Sequence, residues 1–142
     1  MTIDPRHAVR ALIGLTGFGV VSAGIGTVMA VSMHGGGVPA GYLEGTPFRS
    51  FVVPGLILGG IVGGTQLMAA ITLVRRRPSA LLWTAIAGFG MLSWIFTELA
   101  MLQHYSWLQT VYFAFGVVEL VLVFALLGLV PRVMVRWCQT LP

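Results

Sequence analysis

Four apolar stretches dominate this chain, and each is long enough to cross the hydrocarbon of a bilayer. A helix rises 1.5 Å per residue, so about 20 residues span roughly 30 Å. The stretches lie at about 9–33, 51–74, 79–102 and 107–130. Lipid offers no hydrogen bonds to the backbone, so each stretch is expected to be a helix. The sequence is 57% hydrophobic and 8% charged, against about 25% charged residues in an ordinary soluble domain. Too little polar surface exists to coat a water-soluble globule. Disorder, which needs low hydrophobicity and high net charge, is excluded as well. The expectation is one transmembrane domain over residues 1–142, an all-α, up-down-up-down four-helix bundle.

Local signals set the span ends. Asp4-Pro5 reads as an N-cap followed by proline at the first helical position. Pro54 falls in the first turn of the second span, where its missing N–H costs little; alternatively, Thr46-Pro47 starts a short interfacial helix and the span begins at Pro54. Ser79 follows Pro78, and Pro131 stops the fourth span. Val28-Met29-Ala30 resembles a signal-peptide cleavage site, but the apolar run before it exceeds the usual stretch of about 7–15 residues.

Arginine counts orient the chain. With the N-terminus inside, Arg6, Arg10, Arg75, Arg76, Arg77, Arg132 and Arg136 are cytoplasmic and only Arg49 is outside, which places both termini in the cytoplasm. Tyr42, Phe48, Tyr105 and Trp107 then mark the outer interface, and Trp83 and Trp137 the inner one. All eight cations are arginine, and lysine and asparagine are absent. That usage fits a GC-rich genome and a bacterial inner membrane. The net charge of +4 raises nucleic-acid binding, but the arginines flank apolar runs instead of forming a stripe. Arg75–Arg77 is expected to act as a topology determinant, or to contact anionic lipid headgroups or an acidic partner. The lone cysteine, Cys138, forms neither an internal disulfide nor a C-x-x-C motif.

Only the outer loop from His34 to Ser50 has any length, and its glycine-rich start, His34 to Gly37, is expected to be flexible. The second span carries overlapping G-x-x-x-G pairs from Gly55, Gly59, Gly60, Gly63 and Gly64. Such strips let another backbone approach closely, either within the bundle or on a partner protein.

Ionisable residues at membrane depth are functional candidates, because a charge there is expensive. Glu119 sits roughly 18 Å into the fourth span, near the midplane. Tyr112 shares its helix face, and Ser22, Thr65 and Gln66 lie within about two turns of its depth. The readings are interhelical glue, a proton relay or ligand carboxylate, or a contact to a partner subunit. Glu98 lies about 6 Å below the outer end of the third span, and His34, Arg49, Gln103 and His104 share that level. A Glu98–Arg49 pair tying the loop to the bundle is expected, with Arg49–Glu44 competing. No cofactor is expected. A metal at His34, Glu98 and His104, or a heme between His34 and His104, is the alternative, although no H-x-x-x-H spacing supports it.

Trp94-Ile-x-x-Glu98, followed by Gln109-x-x-Tyr112-Phe113-x-x-Gly116-x-x-Glu119, resembles small four-span bacterial membrane proteins of unassigned function, over the last three spans. The outline is also similar to DoxX-like proteins. The resemblance implies a fold and no activity, since no residue matches a redox motif. With tiny loops and no catalytic constellation, the first expectation is an accessory or assembly subunit packing against a larger membrane protein through glycine-rich faces. The alternatives are a homo-oligomeric proton-coupled transporter using Glu119, and a membrane enzyme acting on a lipid-type substrate at the outer mouth through Glu98 and His104.

Overall fold

The computed structural model describes residues 5–33, 35–102 and 105–128. The described residues are all-helical. Four helices are long and apolar enough to cross a membrane: α1 Pro5–Ser32, α2 Val52–Val74, α3 Ala80–Leu102 and α4 Trp107–Leu126. This is the make-up of a multi-pass membrane protein. Large apolar side chains cover the outside; Val21, Ile25, Leu56, Leu82, Phe96 and Val121 are each more than half exposed, as lipid contact requires.

Helix ends differ from expectation where small backbone devices act. α4 ends at Leu126 instead of running to Val130. Gly128 takes φ +65°, the left-handed conformation that commonly follows a helix end. α2 closes with a Schellman motif, in which Arg77 N–H donates to Thr72 O at 2.9 Å and Arg76 N–H to Leu73 O at 3.1 Å. The left-handed position falls on Arg76, with φ +50°. Between α1 and α2 the short helix is Ala40–Leu43, a 3₁₀ turn, and not one starting at Thr46. Thr46 instead turns the chain, donating to Leu43 O at 2.8 Å and accepting from Phe48 N–H at 3.2 Å. At the start of the loop the chain turns through Gly35, Gly36 and Gly37, which all have positive φ. A Cβ on Gly35 would strike the Phe51 ring at 2.6 Å.

The middle of α2 is π-helical over Leu58–Gly63. Such wide turns break the ordinary ladder and occur often at functional sites. Gly55, Gly59 and Gly63 face Ala30, Thr27 and Ala23 of α1. The Thr27 hydroxyl is shared between Ala23 O at 2.8 Å and Gly55 O at 3.0 Å, so it bonds across the interface. α3 and α4 come close where Gly88 meets Gly116, since a Cβ on Gly116 would lie 3.1 Å from Gly88 O.

Packing is uneven along the bundle. Leu12, Leu73, Ala80 and Val123 form a tight core at the end away from the Met33–Phe51 loop. The loop end is hollow.

Candidate functional site

The hollow end is a chamber of about 740 Å³ between all four helices. Its wall is mostly apolar, as is usual for small-molecule sites. Polar groups enter it from Ser22 on α1, Glu98 on α3, and Gln109 and Tyr112 on α4, and the Ala40–Leu43 turn adds Tyr42. A second cavity of about 560 Å³ adjoins it, lined by Met29, Phe48, Phe51 and Ile61 among others. Gly26, Leu58, Val62, Trp94 and Glu98 line both. Leu58 and Val62 belong to the π-helical stretch, so the widened turn forms part of the shared wall.

Glu98 shares a side-chain hydrogen bond with Gln109. Gln109 Oε1 also accepts from Ser106 N–H at 2.9 Å, the reciprocal half of a capping box. One amide thus caps α4 and braces the Glu98 carboxyl. The expected Arg49 pairing does not form: Arg49 is exposed, and Glu98 turns inward to the chamber. His34, Gln103 and His104 lie outside the described residues. Among the described residues no group of three His, Cys, Asp or Glu side chains could hold a metal.

The polar residues expected around Glu119 separate into two levels. Gln66 Nε2 donates to Glu119 Oε2 at 3.1 Å, joining α2 to α4. Both residues are sealed from the surface, at 0% and 2% exposure. About two turns nearer the loop end, the hydroxyls of Ser22 and Tyr112 bond to each other and join α1 to α4. Phe18 stacks on Phe115 at 5.0 Å beside them. Thr65 joins neither pair; its hydroxyl bonds back to Ile61 O at 2.8 Å, as threonine in a helix often does.

Gly19 and Gln109 carry structural weight that sequence reasoning did not assign. A Cβ on Gly19 would come within 2.8 Å of Gln66 Cδ, so its missing side chain makes room for the amide. Gln66 Oε1 finds no donor among the described residues. A fully buried acceptor without a donor is uncommon in a folded chain. The spacing Ser106-x-x-Gln109 was the available signal for the brace. No known protein family, curated protein or solved structure matches this chain.

Proposed function

We propose that this protein is a membrane-embedded binding protein for an amphipathic small molecule, held in the hollow end of the bundle. The chamber of about 740 Å³ carries the reading. A bundle of four short-looped helices can pack shut along its length, as this one does around Leu12 and Val123. Here the loop end stays open, lined by apolar and aromatic side chains with a few convergent polar groups, the usual form of a ligand site. A lipid-type molecule at the outer mouth is the class that such a wall accommodates. The helices are read as an antiparallel up-down-up-down bundle in a bacterial inner membrane, with both termini cytoplasmic. Seven of eight arginines on one side support that orientation. In it Arg75, Arg76 and Arg77 meet anionic headgroups and the chamber faces outward.

The test uses Trp94 and Trp107, which line the chamber. The purified full chain in maltoside micelles is titrated with decanol, decyl sulfate and decyltrimethylammonium while tryptophan emission is followed. A saturable change with at least one of them is expected, and its loss in Gly26→Leu. A Cβ at Gly26 meets only the flexible Leu58 Cδ2, at 2.8 Å, so leucine there enters the cavity without striking backbone. Emission that shifts linearly with every amphiphile, alike in both proteins, refutes the reading.

A second reading, an accessory subunit of a larger membrane complex, draws on Gly60 and Gly64. Among the described residues no other part of the chain comes within 4 Å of where the Cβ atoms of this G-x-x-x-G pair would lie, a strip that another helix could approach. Gentle-detergent purification tests it: a larger membrane protein recovered in stoichiometric amount, and lost in Gly60→Leu, supports it, and recovery of this chain alone contradicts it.

A further inference from the structure

Glu98 stands at the junction of the two cavities, and among the described residues it is the only carboxylate in either wall. No arginine or histidine among the described residues lines either cavity, and the chain has no lysine. A carboxylate among apolar side chains is costly unless a counter-charge or several hydrogen bonds meet it. The one neutral partner seen is Gln109. Around it, Tyr42, Trp94, Trp107 and Tyr112 bring aromatic rings to the first cavity. The faces of such rings carry partial negative charge and attract cations within about 6 Å. The second cavity offers a surface suited to an alkyl or aryl tail, from Met29, Leu43, Phe48, Phe51 and Ile61.

Carboxylate, rings and apolar annex together specify a charge and a shape. We infer that the ligand is a lipophilic cation, with an ammonium head at Glu98 among the aromatic rings and an apolar tail in the second cavity. The inference rests on the amphiphile-binding reading above and adds the sign of the head group. An anionic head would meet Glu98 with no cation in the described wall to offset it. A neutral head would leave the carboxylate unmatched.

The three decyl amphiphiles share a tail and differ in head charge, so their ranking decides the matter. Decyltrimethylammonium binds the wild-type chain about tenfold more tightly than decanol, and decyl sulfate binds most weakly. Glu98→Gln keeps the size of the side chain and removes its charge; it weakens ammonium binding about tenfold, so the preference for ammonium over decanol is lost. Trp94→Leu weakens ammonium binding by a smaller factor, read out through Trp107. Decanol or the sulfate binding as tightly as the ammonium overturns the inference, and so does full ammonium affinity in Glu98→Gln. In those cases saturable binding still upholds the amphiphile reading. No saturable binding of any of the three removes both. Should Glu98→Gln fail to fold, the wild-type ranking alone decides.

Discussion

Replacing Glu119 probes a carboxyl sealed inside the bundle, about two turns from Tyr112 on the side away from the loop end. Its partner Gln66 is wholly enclosed, with one amide hydrogen bonded to Glu119 at 3.1 Å and its oxygen lacking a donor among the described residues. Glu119→Met removes the acceptor, and the buried amide then has no interhelical bond left. Stranding a buried polar group costs about 1–3 kcal/mol in general. Interhelical pairs within a membrane average about 0.6 kcal/mol and reach about 1.7. A loss of about 1–2 kcal/mol is therefore expected, and a similar loss for Gln66→Met, which strands the acid instead. The double replacement removes both polar groups and fills the space with unbranched apolar chains, so it returns to within about 0.5 kcal/mol of the wild type. Glu119→Gln differs in sign. Its oxygen accepts from Gln66 Nε2, and its own NH₂ supplies the donor that Gln66 Oε1 lacks. It should match the wild type or exceed it by up to about 1 kcal/mol. Reversible unfolding by dodecyl sulfate in mixed maltoside micelles, followed by far-ultraviolet circular dichroism, gives these differences. Two results refute the reasoning: Glu119→Gln falling as far as Glu119→Met, or the double variant losing the sum of the singles.

The same assay checks two backbone features. Arg76 holds the left-handed residue of a Schellman motif, where a Cβ costs roughly 1 kcal/mol; Arg76→Gly raises stability by about that amount, and a drop would mean the arginine side chain matters more than its backbone. At the α3–α4 contact a Cβ on Gly116 would sit 3.1 Å from Gly88 O and 3.0 Å from Leu92 Cδ2. Gly116→Val therefore costs about 1–3 kcal/mol, while Gly60→Val, facing open space, changes stability by less than about 0.5 kcal/mol. Equal losses at the two glycines would remove the close approach as the cause.

The helices were legible in the sequence because length and apolarity settle them almost alone. Pro5, Pro54 and Pro78 marked three starts within a few residues. The end of α4 was misplaced because Pro131 outweighed Gly128, although glycine is the commoner stop. The pairing within the polar set was harder to foresee. Ser22, Thr65, Gln66, Tyr112 and Glu119 lie within reach of one another by rise per residue, but rotation about each helix axis decides which meet. α2 changes its winding at Leu58–Gly63, and that shift sets the facing of everything after it. An ideal helical wheel carries no sign of it. The glycines gave the converse lesson: one sequence pattern holds two strips, Gly55/Gly59/Gly63 against α1 and Gly60/Gly64 turned away. Chambers leave no mark in composition, since they arise where side chains from four separate helices fail to meet.

Photolabelling addresses the chamber most directly. A decyl amphiphile bearing a diazirine in its tail, prepared with ammonium and with hydroxyl heads, is irradiated with the full chain in maltoside micelles, and the adducts are mapped by peptide mass spectrometry. Saturable adducts should fall on the wall of the second cavity, at Met29, Leu43, Phe48 and Phe51, and at the junction on Gly26 and Trp94. Adducts spread over the outward faces, at Leu82, Phe89 and Val121, with none on the wall, would contradict a ligand held inside the bundle.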